Sequence, residues 1–403
     1  MHRIPLRELW WLAAGGAGYG ARYVRLRVTN ALSSRRTRAD ADPTGELLRL
    51  QTLHGYNAHS LVSIMPGARV WRAPEIDGAI IYTDFGRVWL ATGDPLASAE
   101  DACELARLFV LAAKRRGRVA AFVPVTERFA REAVRLGLGA LKVGAAPYFD
   151  LKTWAPRGDR AKHMRAGVNR ARREGVRVES VEEPDETLRR ETESLCRLWL
   201  DTRRAATSFG WLFLLDPFQH AGHKRFFTAR DACGALVGFL AASPTPARGG
   251  WYLEDVLRHP EAPQGTADLL VVEALTRLAA SGARIATLGT SPLAREGKAV
   301  IAAGDFPRVE KTLRLVASRL GAFYNFEGLR RFKSKFAPTF WESEYVLAPR
   351  GRTIPPRVAY AIVRAIAPGG VPQLLTRQVA RKLRPARIKG EGRKTKARTR
   401  RAA

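Results

Sequence analysis

Hydrophobic and polar positions follow the same order of periods twice along this chain. "GAIIYTDF" and "RVWLATGD" (residues 78–94) are alternating or continuously apolar, as strands are, and a short turn separates them. Gly93-Asp94-Pro95 ends the second, and "SAEDACELARLFVLAAKRRG" then takes up helical spacing. Ser98 and Asp101 predict a capping box. Leu105, Phe109 and Leu111 are assigned to one broad apolar face, and Gly117 ends the helix after a basic turn. The strand "RVAAFVPV" follows at once. The plan recurs as the strand "WYLEDVLRH", the turn "PEAPQGTA", the helix "DLLVVEALTRLAAS" closed by Gly282, and the strand "RIATLGT". Two strand–turn–helix–strand units predict an α/β (α+β) fold of duplicated subdomains.

Between the copies, "DRAKHMRAGVNRARREG" predicts a basic connecting helix with Ala161, Met164, Val168 and Ala171 as a narrow apolar stripe. Residues 29–46 are polar and turn-rich and read as a linker. Past Pro355, "PRVAYAIVRAIAP" and "VPQLLTRQVARKL" predict short amphipathic helices. Arg381 to Arg401 holds eleven Lys/Arg and one Glu, a tail that buries no core and is expected to be disordered when free. The uncharged run Leu9–Ala21 is too short to span a bilayer. It reads as an interfacial segment, with Trp10 and Trp11 at headgroup level and Arg22, Arg25 and Arg27 facing lipid phosphates. A helix packed on the domain and a weak signal peptide are the competing readings of that run.

Charge changes the picture. In 403 residues, 68 Lys+Arg against 38 Asp+Glu leave a formal net charge of +30, clustered rather than even, which implies polyanionic partners such as nucleic acid or an anionic membrane. Cys103, Cys196 and Cys233 lie far apart, which excludes a disulfide framework or a cysteine zinc site and suits a reducing cytoplasm. His220 and His223 read as surface residues. There is no Walker A pattern, no G-x-S-x-G, and no evident Ser-His-Asp or Cys-His arrangement.

Seven segments together resemble the C-terminal catalytic region of the bacterial phosphatidylglycerol lysyl- and alanyltransferases, the lysylphosphatidylglycerol synthase family. They are "ATGDPLA" (91–97), "GLGALKVG" (137–144), "MRAGVNRARREG" (164–175), "LEDVLRH" (253–259), "QGTADLL" (264–270), "LGTSPL" (288–293) and "NFEGLRRFKSKFAPTFWESEY" (325–345). They keep the family's order across about 300 residues. The resemblance implies two acetyltransferase-like (GNAT) subdomains in tandem, expected at 46–155 and 179–350, with the basic helix at 156–178 between them. Residues 1–45 and 351–403 are expected to be terminal segments. It also implies transfer of an amino acid, lysine or alanine, from aminoacyl-tRNA to the glycerol hydroxyl of phosphatidylglycerol. That exchange of esters needs no cofactor. Ala145 and Ala146 stand where the family often carries an acidic residue. The family's frequent many-helix membrane domain is missing, so lipid would be reached peripherally from the cytoplasmic face of the plasma membrane, through the first segment and the basic tail.

The resemblance also selects the site. Asp255 and Arg258 match the family's Asp-x-x-Arg, in one active cleft: Asp255 to receive the α-ammonium, Arg258 a phosphate. An ideal strand would put residues three apart on opposite faces, so their joint action needs a bend. Lys335, with Lys333 as its rival, supplies a cation for lipid phosphate or developing oxyanion. Glu254, Gly265, Asp268 and Ser291 from the neighbouring segments, and Arg165, Asn169 and Arg170 from the basic helix, are the expected substrate contacts. The turn around Gly265 stands where acetyltransferase folds bind a pyrophosphate, but its glycine pattern is degenerate. Aromatics from Phe323 to Trp341 suit either a core or the stacking of a terminal adenine. Two other readings stay open: the same fold acting on another lipid, a peptidoglycan precursor or a protein N-terminus, and a non-catalytic module binding anionic lipid or RNA.

Overall fold

A computed structural model describes residues 43–202, 215–297, 326–351 and 354–366. The first segment, most of the linker, the second C-terminal amphipathic stretch and the basic tail lie outside the described residues.

Each apolar pattern closes into the same unit. Helix α1 (Pro43–His54) precedes strands β1 (Arg69–Trp71), β2 (Ile80–Asp84) and β3 (Val88–Thr92), an antiparallel meander. Helix α2 (Asp101–Arg115) crosses over to β4 (Val119–Thr126), which runs parallel to β3. All five residues of β3 are buried, as both faces of that parallel pair are covered. Half of the expected capping box forms: Asp101 N–H donates to Ser98 Oγ at 3.1 Å, but the Asp101 carboxylate accepts from that hydroxyl at 2.9 Å rather than from the Ser98 backbone. Leu105 and Phe109 are fully buried, but Leu111 is 37% exposed. Two residues beyond Phe109 is roughly 200° round the helix, so Leu111 faces away from the core. A short helix α3 (Glu127–Ala133) leads to the long strand β5 (Leu138–Asp150).

The second unit repeats the order. After α4 (Lys162–Arg173), β6 (Arg177–Val181) and α5 (Glu186–Thr202), the meander β7 (Arg225–Arg230), β8 (Leu236–Thr245), β9 (Gly250–Arg258) is followed by α6 (Thr266–Ala280) and β10 (Ile285–Thr287), parallel to β9. The α4 stripe is buried as expected, with Ala161, Met164, Val168 and Ala171 at most 5% exposed, in one core with Leu269, Leu270 and Ala274 of α6. The architecture is two tandem acetyltransferase-like units in one mixed α/β sheet.

Four elements remain among the described residues. They are β11 (Ser291–Pro292), α7 (Phe326–Ser334), β12 (Phe340–Pro349) and α8 (Pro356–Ile366), of which α8 packs on β3 and β4 of the first half. The twelve-stranded sheet has the order β1-β2-β3-β4-β12-β5-β10-β9-β8-β7-β6, with β11 on β5. Thus β12, last in the chain, enters between β4 and β5 of the first half. An ion pair clamps the seam: both guanidinium ends of Arg248 donate to Glu342 of β12 at 2.8 Å, with side chains only 7% and 14% exposed. Arg248 also donates to the Tyr56 carbonyl at 3.1 Å and lies over the rings of Tyr56 and Tyr148. Breaking a buried pair from one side strands the other charge. Glu342→Ala should therefore lower stability by about 3–5 kcal/mol, read from urea unfolding. The double replacement Arg248→Met/Glu342→Leu should recover most of that loss.

Candidate functional site

The site begins where two parallel strands part. β9 and β10 pair only through Gly250–Tyr252 and Ile285–Thr287. β9 then runs on to Arg258, while the chain after β10 turns through Leu288, Gly289 and Thr290 into β11 on β5. Gly289 is required at this turn: its φ is +69°, and a Cβ would lie 2.4 Å from the Tyr252 ring. Lys333 reaches in from α7, and its Nζ donates to the carbonyls of Gly289 and Thr290 at 2.8 and 2.7 Å.

A bulge in β9 sets its carboxylates. Ala241 of β8 faces Asp255 and Ala242 faces Leu253, so Glu254 is the extra residue. Leu253 lies in the core beneath α6, whereas Leu257 lies in the core beneath α5, so Asp255, two residues before it, faces the α5 side. Glu254 is ion-paired with Lys224, their side chains 5% and 1% exposed. Burial first, and then the adjacent Glu254 charge, pushes the Asp255 carboxyl well above the usual range, with Lys224 opposing. Glu254 is also raised by burial, again against Lys224. Among the described residues Asp255 has no ion-pair partner. It is a carboxylate in want of a cation.

Arg258 is on the other face. Its Nη1 donates to the Ala262 carbonyl at 3.3 Å, and its charge acts on Asp268 of α6. The sheet thus separates Asp255 from Arg258 rather than bringing them into one cleft. Asp268 is ion-paired with Lys335, whose ammonium sits 4.4 Å from the Phe332 ring centre. Burial raises the Asp268 carboxyl, and Lys335 opposes it. Gly265, with φ +92°, caps α6 directly beneath α4: a Cβ on it would lie 2.0 Å from the Gly167 carbonyl oxygen. The backbone of α4 therefore occupies the approach to this helix N-terminus. On α4, Arg165 donates to the carbonyls of Pro156 and Gly158, and Arg170 bonds Glu174 and Gln264. Asn169 lines a shallow cleft of about 560 Å³ with Ala166, Arg172 and Arg173. Of the aromatics, Phe336 is core and Phe340, 41% exposed, stacks on Tyr148. Phe323 and Tyr324 lie outside the described residues.

A second set of polar groups surrounds Lys333. Burial pulls its amine down to about 7, with Glu344 of β12 opposing. Burial pushes the Glu344 carboxyl up to about 7, against the Thr290 hydroxyl and the Lys333 charge. His59 is held down at about 4 by burial and by Lys333; its ring meets Asn57 Oδ1 at 3.2 Å and packs against Tyr252. Ser291 Oγ and Glu344 Oε2 are buried with no hydrogen-bond partner among the described residues. Ala145 lies between Ser291 and Ser343, so the position where an acid was expected is inside this seam. Strongly displaced titrations in one place mark a site for chemistry. Sequence reading missed Lys224, His59 and Glu344. The signal for Glu344 was present: two glutamates alternate in "WESEYVLA", a strand otherwise apolar on both faces. His220, read as a surface residue, is half-buried and bonds the Ile64 carbonyl at 2.5 Å.

Comparison with known proteins identifies the family and the fold. A family model described as phosphatidylglycerol lysyltransferase, C-terminal, matches residues 49–348. The phosphatidylglycerol lysyltransferase of Bacillus subtilis (strain 168) is 22% identical over 302 residues, covering 74% of this chain and 34% of that protein. The lysylphosphatidylglycerol biosynthesis bifunctional protein LysX of Nocardia farcinica is 28% identical over 311 residues, covering 75% of this chain and 26% of that one. The chain thus spans about a third or less of these relatives' length. Among solved structures, L-PGS from Bacillus licheniformis superposes with a TM-score of 0.66 at 21% identity, covering 83% of this chain and 99% of that one. A C-terminal domain from Agrobacterium fabrum gives 0.67 at 24% identity, covering 81% and 98%. With three-quarters of its length inside the family model and both halves built as above, this chain belongs to the phosphatidylglycerol lysyltransferase C-terminal family.

Proposed function

We propose that the parted strands β9 and β10 hold an aminoacyl ester, and that the protein moves lysine or alanine from aminoacyl-tRNA to the headgroup hydroxyl of phosphatidylglycerol. The observation that carries this reading is Asp255: a partly buried carboxylate, without an ion-pair partner among the described residues, on the strand that parts from β10 where the Lys333 amine is held. The names of the relatives supply the lipid and the lysine. The tRNA donor follows from the family resemblance and from the basic surface.

In this mechanism the substrate α-ammonium enters beside Asp255 and returns its carboxyl to the ionised state. Lys333, near pH 7 partly neutral, accepts the proton of the lipid hydroxyl. The oxygen attacks the aminoacyl carbonyl, the bond to the ribose oxygen breaks, and that oxygen leaves with a proton returned by the Lys333 ammonium. Glu344 and His59 set the charge around the amine: His59 stays neutral, so it adds no competing cation. Arg258, with donors beyond the one given to Ala262, and Lys335 are assigned to a phosphate approaching from the α6 face. No described helix is long and apolar enough to cross a membrane. The lipid is therefore proposed to be met at the bilayer surface.

The full chain, incubated with Lys-tRNA or Ala-tRNA and phosphatidylglycerol vesicles, should yield a cationic lipid on thin-layer chromatography. Asp255→Asn should lower kcat/KM about ten- to hundredfold, the value of a charge-assisted contact. The same change should raise the melting temperature at neutral pH. A carboxyl raised above its ordinary 3.8 costs stability as pH climbs from there, and asparagine removes that cost. Unimpaired transfer by Asp255→Asn would exclude the ammonium site.

A pH profile tests the amine separately. Because Lys333 acts when neutral, kcat, which reports the complex in which Asp255 already holds the ammonium, should rise up to about tenfold per pH unit below pH 7 and level off above it. Lys333→Met should abolish that limb along with most of the rate, and Lys333→Arg should not restore it, since guanidinium does not deprotonate. A limb that persists in Lys333→Met rules the amine out as the base.

A further inference from the structure

At the far edge of the first half, strands β1 to β3 and the end of α2 enclose a cleft of about 660 Å³ that the transfer site does not use. Trp71 and Trp89 line it, with Arg69, Arg116 and Arg118 around them and Asp84 beside. Its cations are only partly compensated among the described residues. Several exposed arginines elsewhere are tied to glutamates three or four residues away, as in Arg107–Glu104, Arg131–Glu127, Arg135–Glu132 and Arg170–Glu174. Among the described residues, Arg116 and Arg118 have no carboxylate partner; Arg116 instead lies 5.5 Å over the Trp89 ring. Arg69 reaches Asp84 only at 3.7 Å. Trp89 is 5% exposed, and its Nε1–H, like Asp84 Oδ1, is buried with no hydrogen-bond partner among the described residues. The cleft thus offers guanidinium and indole donors for an anion, one acceptor for a hydroxyl, and the half-buried ring of Trp71.

We propose that this cleft binds a nucleotide of single-stranded RNA, its phosphate held by Arg116 and Arg118 and its ribose hydroxyl by Asp84. The choice of RNA rests on the tRNA donor proposed above, and the site gives that donor a second contact at the β1 edge of the sheet, away from β9. Two features favour RNA over a bilayer. Lys114 and Arg115 at the end of α2 add positive charge beside the two arginines of the cleft, which favours a polyanion with successive phosphates. The aromatic floor is recessed, so a planar headgroup layer cannot reach it, whereas an extruded base can.

The test measures binding of an uncharged tRNA transcript to the full chain by fluorescence anisotropy across salt concentrations. Arg116→Ala/Arg118→Ala should weaken binding about tenfold at low salt and reduce the slope of log affinity against log salt by about one to two. Arg116→Lys/Arg118→Lys should keep the slope, which separates charge from misfolding. A single-stranded oligouridylate lacking a CCA end should quench tryptophan emission in the unaltered protein and much less in Trp71→Ala. Unchanged tRNA affinity and slope in the alanine variant, while the unaltered chain still transfers amino acid, would overturn this site alone. Loss of binding to phosphatidylglycerol–phosphatidylcholine vesicles with tRNA binding intact would reassign the cleft to lipid. Absence of transfer by the unaltered chain bears on the transfer reading and leaves the anisotropy result standing.

Discussion

The hydrogen bonds of β12 with β4 and β5 are what the rest of the molecule depends on. A strand that is last in the sequence lies in the middle of the first half's sheet, paired on both edges. That placement draws the segment before it across the join, so α7 ends beside the parting of β9 and β10 and Lys333 meets the carbonyls of Gly289 and Thr290. It also carries Glu342 to Arg248 and Glu344 to the Lys333 amine. Each half alone would leave its edge open and its polar groups unmet. The site is therefore a property of the join, not of either unit.

Burial of this many ionisable groups is costly, and the seam distributes the cost unevenly. Arg248–Glu342 and Lys224–Glu254 are matched pairs, and Asp94 accepts from the Thr126 backbone at 2.9 Å. Asp255, Lys333 and Glu344 are left displaced from their ordinary titration ranges. A purely structural network would satisfy them with partners of its own. Groups held half-satisfied beside fully satisfied neighbours are the pattern expected where a ligand completes the electrostatics.

The repeated units were legible because a period of two followed by a helical period, with turn residues between, leaves little choice of local structure. The α4 stripe was legible for the same reason, and all four residues are buried. Long-range placement was not. Nothing in the local spacing of "WESEYVLA" says that it pairs with β4, since strand pairing is decided by which edge is open once both halves have formed. The separation of Asp255 from Arg258 followed from strand alternation, but the bulge that sets Glu254 and Asp255 side by side has no sequence mark other than their adjacency. Leu111 shows the limit at single-residue scale: composition placed it on the helix, and only the angle excluded it from the core.

The net charge of +30 reads differently once contacts are assigned. Much of the basic helix α4 is occupied internally: Arg165 by its own preceding loop, Arg170 by Glu174 and Gln264, Arg172 by Glu273. A run of arginines in the sequence is thus a poor guide to a polyanion surface, because pairing at three- and four-residue spacing neutralises it locally. The informative cations are those that folding leaves without a carboxylate. By that criterion the end of α2, where Lys114, Arg115, Arg116 and Arg118 follow one another with no acid between them, is as informative as the helix with the most arginines. A polyanion steered by such charge would arrive at one edge of the sheet, away from the parting of β9 and β10 near its centre.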